Sequence, residues 1–230
     1  MKCDWLVIAP HPDDAELGVG GLMAKLTAEG QRVVVVDLTR GERASRGTPA
    51  QRQEEARAAA AVLSIAAREN AELPDGGLQD IPEQRLRIAR LIRKYKPEVL
   101  LAPMGPDRHP DHTVAHTLCL AANFEAGLAQ LPDEQPPHRA AQVFHYYPYA
   151  DPAQVPPLVV DITDHFEMKL NALRQYRSQF HHPGYGGAET MIATKAFWDN
   201  ITTRAAFWGA RIGVQYGEPL FAQLPLNPEQ

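Results

Sequence analysis

Apolar runs and helix-like patterns alternate along the first half of the chain. The run at 33–36 is the clearest strand, because four consecutive valines suit a strand covered on both faces. Between such runs, apolar residues recur every three or four positions, as in a helix with one buried face. The predicted elements are strand 5–9, helix 15–29, strand 32–38, helix 49–63, strand 67–73, helix 82–96, strand 99–102 and helix 113–128.

Four strand–helix units in this order predict a largely parallel sheet with right-handed crossovers. After residue 128 the pattern changes. A proline-rich segment at 132–137 predicts a loop, and it is followed by strands 142–147 and 158–162 and helices 164–180 and 189–212. We expect this second part to extend the same sheet and cover it. At 230 residues the chain is long enough for a full core, and one domain is the most economical interpretation.

Composition excludes several classes of protein. The net charge of −5 argues against a nucleic-acid surface, which needs a basic excess. No apolar stretch approaches the roughly 18 residues of a membrane span. The two cysteines, Cys3 and Cys119, are too few and too far apart for a disulfide framework. We see no signal peptide at the start of the chain and expect a cytoplasmic protein.

Two clusters of acids and histidines follow predicted strands. His11-Pro12-Asp13-Asp14 follows the first strand, and His109-Pro110-Asp111-His112 follows the strand at 99–102. Because the carboxyl ends of parallel strands share one edge of a sheet, the clusters are expected to meet there. Such groups are costly to bury without a partner, and a divalent cation is the natural one.

A catalytic zinc site typically has three protein ligands and one open position for water. His11 and His112 supply imidazoles, and either Asp13 or Asp14 supplies a carboxylate. The other aspartate is then free to act as a base on water. Spacing alone does not decide which aspartate does which.

Two features of the first motif region have simpler or alternative interpretations: the Asp-Asp pair and the glycine-rich run that follows it. An Asp-Asp pair at a helix start is often an N-cap with a favourable dipole contact. The joint occurrence of both clusters at strand ends nevertheless favours a metal site. The run Gly18-Val19-Gly20-Gly21 is glycine-rich like a phosphate loop, but it lacks the G-x-G-x-x-G spacing and lies inside a predicted helix. We expect these glycines to allow close packing of the helix on the sheet.

The two clusters carry a family resemblance. The chain resembles the LmbE-like (PIG-L) superfamily of zinc-dependent N-acetylglucosamine deacetylases, whose motifs are Ala-His-Pro-Asp-Asp and a later His-Pro-Asp-His. Pro10 replaces the usual alanine, which should matter little because that side chain is not a ligand. Four further stretches, at 38–42, 51–56, 74–78 and 176–180, look like the branch of bacillithiol-biosynthesis deacetylases. The similarity extends over essentially the whole chain. The expected fold is a single-domain three-layer α/β sandwich over residues 1–230, with a mostly parallel, Rossmann-like sheet.

The resemblance implies a role for each of nine residues. The implied ligands of one Zn²⁺ per subunit are His11, Asp14 and His112. The implied catalytic residues are Asp13 as general base, His109 beside the developing oxyanion, and Asp111 orienting His109 by a hydrogen bond. The implied substrate contacts are Arg52 to sugar hydroxyls, Arg139 reaching an active site, either its own or that of a neighbouring subunit, and Tyr216 in the pocket. Iron(II) or cobalt(II) would also suit such a ligand set.

The implied activity is that of a metal-dependent amidohydrolase that deacetylates a small-molecule sugar conjugate. The expected substrate is N-acetylglucosaminyl-malate in bacillithiol biosynthesis. The alternatives are a chitooligosaccharide or inositol-linked N-acetylglucosamine, and, from another class, a non-catalytic metal- or sugar-binding module. Asp13 beside Asp14 favours the enzyme, since a pure binder needs no base. The resemblance also implies a homo-oligomer, a hexamer or a trimer. The glycine-rich segment 181–187 is a candidate substrate lid.

Overall fold

The computed structural model describes residues 1–148, 156 and 158–223. Strands and helices alternate in this part as the pattern predicts. The strands are β1 Trp5–Ala9, β2 Val33–Asp37, β3 Ala67–Asn70, β4 Val99–Pro103, β5 Gln142–Tyr146, β6 Leu158–Asp161 and β7 Gly217–Ala222. The α-helices are α1 Asp14–Ala28, α2 Pro49–Val62, α3 Pro82–Tyr95, α4 Pro110–Ala126, α5 Phe166–Leu173 and α6 Lys195–Ala210. Short 3₁₀ turns lie at Thr163–His165 and Met191–Ala193.

The strands form one sheet in the order β3-β2-β1-β4-β5-β7-β6. The first five strands in this order pair in parallel, and β7 pairs antiparallel with both β5 and β6. In the middle of the sheet, Val7 of β1 lies between Val35 of β2 and Leu101 of β4. The mostly parallel sheet is therefore confirmed.

Helices cover both faces of the sheet. Val33 and Val35 of β2 pack in a core with α1, α2, α5 and α6. Val34 and Val36 of the same strand pack in a second core with α3 and α4. Because successive side chains of a strand point to opposite faces, one run of valines contributes to both cores. The predicted three-layer α/β sandwich is confirmed.

The second part of the chain differs most from the prediction. The helices predicted at 164–180 and 189–212 are shorter, since each begins with a 3₁₀ turn and α5 already ends at Leu173. Strand β7 was not predicted, because its first residues include Gly217 and Pro219, which are depleted in strands. Pro219 pairs with Val159 of β6, whereas the described pairing of β7 with β5 begins only at Phe221.

Helix α1 is interrupted near its start, at the glycine-rich run. Val19 has non-helical φ and ψ values of −139° and 26°. A Cβ atom at Gly18 would lie 2.2 Å from Cδ2 of the Tyr146 ring, so only glycine lets the helix approach the sheet this closely. The expected close packing is confirmed.

Glu218 of β7 caps the second segment of α1. Its carboxylate accepts hydrogen bonds from the backbone N–H groups of Gly21 (2.9 Å) and Leu22 (2.7 Å). It also accepts one from the Lys169 ammonium group at 2.6 Å. Both charged side chains are buried, so each is the partner that the other needs.

Replacing Glu218 by Ala is expected to lower the free energy of unfolding by about 3–5 kcal/mol, because it leaves the Lys169 ammonium group buried without its counter-charge. Urea unfolding of the two proteins measures the difference. Glu167→Ala is the matched control, since Glu167 makes an exposed ion pair with Arg174 that contributes no more than about 1 kcal/mol. Equal losses in the two variants would contradict the prediction.

The sequence also led us to expect no disulfide framework and no membrane-spanning segment. Cys3 and Cys119 are both buried, and neither forms a disulfide. Both thiols pack in the core with α3 and α4. None of the helices in the described part of the chain is long and apolar enough to cross a bilayer.

Candidate metal centre and active site

Both predicted clusters meet at one edge of the sheet. His11 follows β1, and His109 and His112 lie at the start of α4 after β4. The ring centroid of His11 lies 5.4 Å from that of His112 and 4.7 Å from that of His109. The convergence expected from parallel strands is therefore present, although almost a hundred residues separate the two clusters.

The Asp14 carboxylate lies between two imidazoles. Its Oδ2 atom lies 3.2 Å from Nδ1 of His11 and 3.1 Å from Nε2 of His112. All three side chains are buried. Burial alone would lower the pKa of His112, but the Asp14 and Asp107 carboxylates raise it to about 9. The two imidazoles in turn hold the pKa of Asp14 far below its usual value, against the effect of burial.

This arrangement fits a divalent cation. With metal–ligand bonds of about 2.0–2.1 Å, neighbouring ligand atoms of a tetrahedral site lie about 3.4 Å apart. The separations from Asp14 Oδ2 to the two ring nitrogens are close to this value. Ring nitrogens of His11, His109 and His112 also all lie within 4.8 Å of one another. The predicted ligand set is thus brought together, and His109 borders the same space.

Carboxylates hold the outer nitrogens of the two histidines. Nε2 of His11 lies 3.2 Å from both Asp75 Oδ1 and Asp111 Oδ2. Nδ1 of His112 lies 3.4 Å from Asp107 Oδ1. A metal-binding histidine usually donates its other ring N–H to such a group, which fixes its tautomer and orientation. The inner nitrogens, which face Asp14, are then available to bind a cation.

His109 is half-buried beside these rings. Its Nδ1 accepts a hydrogen bond from the backbone N–H of Asp111 at 3.3 Å, so a proton on the neutral ring is on Nε2. Burial, followed by the charges of His11 and His112, lowers the pKa of His109.

The hydrogen bond expected between Asp111 and His109 is made by the backbone N–H of Asp111 and not by its carboxylate. That carboxylate accepts instead from Gly76 N–H at 2.7 Å and faces His11. Only the backbone of Asp111 holds the His109 ring, because the helix start turns the side chain toward the loop after β3.

Asp13 lies at the N-cap position of α1 but does not cap the helix. Its φ is 112°, and its side chain makes no capping hydrogen bond. Oδ2 instead accepts a hydrogen bond from the Arg52 guanidinium at 3.1 Å. Burial raises the pKa of Asp13 to about 7, although Arg52 opposes the shift. A carboxylate with a pKa near the working pH is suited to act as a base.

Arg52 holds the Asp13 carboxylate and the backbone around it by hydrogen bonds. Besides Asp13, its guanidinium donates to the carbonyl oxygens of Pro12 (2.6 Å) and Gly41 (3.4 Å). It is only 4 % exposed, although it borders the cleft. The resemblance implied a contact to sugar hydroxyls; in the structure its donors are directed mainly at the loop that carries Asp13.

Replacing Arg52 by Gln is expected to move the acidic limb of the pH profile of kcat/KM to higher pH. A general base acts only when deprotonated, so activity falls as the pH drops through its pKa. Arg52 lowers the pKa of Asp13, and its removal raises that pKa. Substrate turnover measured across pH for both proteins tests this. An unmoved limb would show that Arg52 does not control the protonation of the base.

Two predicted substrate residues lie elsewhere. Arg139 donates to the carbonyl oxygen of Phe124 at 2.7 Å and stacks on that ring at 4.3 Å. It borders a hollow near Asp4 and Gln142, at the amino ends of β1 and β5. Within one chain, Arg139 therefore lies at the sheet edge opposite the site, because the segment after residue 137 leads into the start of β5. A contact with a neighbouring subunit's site stays a prediction.

Tyr216 is half-buried and packs against the core that contains α1, α2, α5 and α6. Its ring stacks on Phe166 with centroids 3.9 Å apart, and its backbone N–H donates to Thr163 Oγ1 at 3.2 Å. Among the described residues, Tyr216 does not line the cleft that contains the histidines. Its predicted pocket contact is not found, because the antiparallel strand β7 directs the preceding segment against α5.

An open cleft of about 430 Å³ leads to the site. Away from the histidine clusters and from Arg52, Asp75 and Gly76, which also line it, its rim consists of Arg43, Ala44, Ser45, Arg46, Arg108, Gln179, Thr190, Met191 and Ile192. The candidate lid, 181–187, does not itself line the cleft, but residues on either side of it do. Arg46 fastens this segment by donating to Ser178 O and Ala188 O, both at 2.7 Å.

Sequence reasoning missed several of these residues. Asp75 was included only in the family stretch 74–78, and Asp107, two residues before the second cluster, was not singled out. The rule that found His11 and His112 could have found Asp75, since it also follows a parallel strand, β3, at the same sheet edge. The rim arginines Arg43 and Arg108 carry no comparable signal.

Comparison with known proteins agrees with this site. The sequence profile of the PIG-L family, described as GlcNAc-PI de-N-acetylase, matches residues 6–123. Diacetylchitobiose deacetylase of Thermococcus kodakarensis is 31 % identical over 93 % of this chain and 80 % of its own. A 1D-myo-inositol 2-acetamido-2-deoxy-alpha-D-glucopyranoside deacetylase of Saccharopolyspora erythraea is 27 % identical over 76 % of this chain and 77 % of its own.

A solved structure extends the likeness to the fold. The conserved protein TT1542 from Thermus thermophilus is 40 % identical, with a TM-score of 0.88 over 98 % of this chain and 96 % of its own. The fold and the histidine–aspartate cluster define an α/β amidohydrolase. The chain belongs to the PIG-L (LmbE-like) deacetylase family. The resemblance carried by the two motifs is confirmed, and so is the predicted class of enzyme.

Proposed function

We propose that the chain, as one catalytic domain over residues 1–230, removes the acetyl group from an N-acetylglucosamine conjugate with one Zn²⁺ per subunit. The observation that carries this proposal is the position of Asp14 Oδ2 between His11 Nδ1 and His112 Nε2. Asp13, with its pKa near 7, lies beside Asp14 in the same loop. A cation held by His11, Asp14 and His112 would supply Lewis acidity toward water and toward the amide carbonyl.

The remaining steps belong to side chains of this protein. Asp13 accepts a proton from the attacking water, whose oxygen forms the new bond to the acetyl carbon. His109 donates from Nε2 toward the carbonyl oxygen as negative charge develops there, an interaction commonly worth about 3 kcal/mol. The C–N bond then breaks as Asp13 returns the proton that it took from the water to the nitrogen. The products are acetate and the free amine, so the atoms of one water are divided between them.

For the conjugate we propose an anionic group, as in N-acetylglucosaminyl-malate. Arg43 and Arg108 lie on the rim of the cleft, and guanidinium groups pair well with carboxylates. Arg52 and Arg139, which the resemblance implied as substrate contacts, have other partners within the chain. Chitobiose-type and inositol-linked N-acetylglucosamine are the alternatives that the names of the two relatives favour.

Released acetate measured for three substrates tests the proposal. The panel is N-acetylglucosaminyl-malate, N,N′-diacetylchitobiose and N-acetylglucosaminyl-inositol, each with and without chelator and with Zn²⁺ restored. We expect chelator-sensitive release with the highest kcat/KM on the malate conjugate. A higher value on an uncharged substrate would overturn the choice of conjugate alone. Binding of sugar with no acetate released from any substrate would favour the non-catalytic module.

We also propose that the protein is a homo-oligomer, either a hexamer or a trimer. Phe124, which is 57 % exposed, and the Arg139 guanidinium stacked on it form a surface feature suited to a neighbouring subunit. Sedimentation of the wild type and of Phe124→Ser measures the state. A monomeric wild type would overturn this part of the proposal.

A further inference from the structure

Asp75 connects the candidate metal centre to the rim of the cleft. It lies in the loop after β3, and its side chain is 9 % exposed. Oδ1 lies 3.2 Å from Nε2 of His11, the ring nitrogen that faces away from Asp14. Oδ2 accepts a hydrogen bond from the backbone N–H of Arg43 at 2.8 Å. The backbone N–H of Asp75 donates to Glu42 Oε1 at 2.9 Å.

The same loop also places a second carboxylate on His11. Asp111 Oδ2 lies 3.2 Å from Nε2 of His11 and accepts from Gly76 N–H at 2.7 Å. Asp111 Oδ1 accepts from Leu78 N–H at 3.4 Å. Gly76 has a φ of +67°, a backbone conformation that L side chains rarely adopt, so the turn favours glycine.

Two carboxylates on one ring nitrogen determine the tautomer of a neutral His11. A carboxylate only accepts, so a proton is favoured on Nε2, which faces both aspartates. Nδ1 then presents its lone pair toward Asp14. This is the form of histidine that can bind a cation through Nδ1.

We propose that Asp75 is a positioning residue for the metal ligand His11 and couples cation binding to the rim segment 41–46. The inference rests on the proposed function, because it assumes that His11 holds a cation. Arg43 of this segment lines the cleft, so an ordered rim would place its charge for a substrate. The path from the cation to the rim runs through His11 Nε2, the Asp75 carboxylate and the Arg43 amide.

Zn²⁺ affinity of the full chain, measured by chelator competition, tests the positioning role. We expect Asp75→Ala to bind about 10–100-fold more weakly than the wild type, as for other carboxylates that hold a metal-binding histidine. Asp75→Asn is expected to lose less, since its amide oxygen can still accept from Nε2. Asp80→Ala is the matched control, because Asp80 lies later in the same loop and its carboxylate pairs with Arg85 of α3. Circular dichroism checks that each variant is folded.

Hydrogen exchange of the 41–46 amides tests the coupling. Added Zn²⁺ is expected to slow exchange there in the wild type and in Asp80→Ala, but not in Asp75→Ala. Wild-type affinity in Asp75→Ala overturns the positioning role, and equal slowing in that variant overturns the coupling. Both results leave the proposed function intact if the wild type binds Zn²⁺ and releases acetate. A wild type that binds no Zn²⁺ overturns the proposed function itself.

Discussion

Replacing Asp13 by Asn is expected to lower kcat by about 10²–10⁴-fold, the contribution typical of a general base, while Zn²⁺ remains bound. The amide cannot take the proton from water. The converging ligand atoms belong to His11, Asp14 and His112, so the substitution leaves them in place. Asparagine is also suited to the backbone at this position, since the φ of 112° is one that Asn tolerates better than most residues.

The measurement combines metal content with single-turnover acetate release. Asp164→Asn is a suitable control, because Asp164 lies in the 3₁₀ turn before α5, away from the cleft. A fully active Asp13→Asn enzyme would show that another group serves as the base. Loss of Zn²⁺ from this variant would instead make Asp13 a ligand, exchanging the roles of the two neighbouring aspartates.

Replacing His112 by Ala is expected to abolish Zn²⁺ binding and to reduce acetate release to the level of chelator-treated wild type. The loss of affinity should exceed the roughly 10–100-fold typical of a residue that only supports a ligand. Nε2 of His112 lies 3.1 Å from Asp14 Oδ2, and no alanine atom can replace it.

The matched control for this variant is on the same helix. His116→Ala removes an imidazole one turn further along α4, where Nδ1 lies 3.2 Å from Pro103 O and the ring packs on His145. We expect His116→Ala to keep both metal and activity. Retention of stoichiometric Zn²⁺ in His112→Ala would leave His11, Asp14 and His109 as the ligands, an alternative that the grouping of the three imidazoles permits.

The sequence predicted the fold best where a regular pattern of apolar residues extends over a whole strand or helix. The valines of β2 predicted a strand covered on both faces, and parallel pairing then predicted that two distant loops meet. Which aspartate lies between the imidazoles could not be read from spacing. That depends on the backbone of Asp13, whose φ of 112° turns its side chain toward Arg52 while Asp14 enters the helix.

Contacts that depend on loop geometry were less predictable. Arg52 carries a charge suited to a substrate, yet in the fold its nearest acceptors are Asp13 and two carbonyl groups. The carboxylates of Asp75 and Asp107 reach ring nitrogens only because of how two loops turn after their strands. Strand β7 was missed because Gly217 and Pro219 are residues that are depleted in strands. Glu218, which lies between them, nevertheless caps the second segment of helix α1.

The cap that Glu218 provides has a consequence for how the protein is made. A ribosome releases the chain from its amino end, and the amide groups of Gly21 and Leu22 emerge almost two hundred residues before their acceptor. Nascent chains halted before residue 218 therefore leave the helix that begins at Asp14 without this cap and Lys169 without its counter-charge. The helix that begins at Asp14 is therefore completed only after residue 218 has been synthesised, long after its own residues.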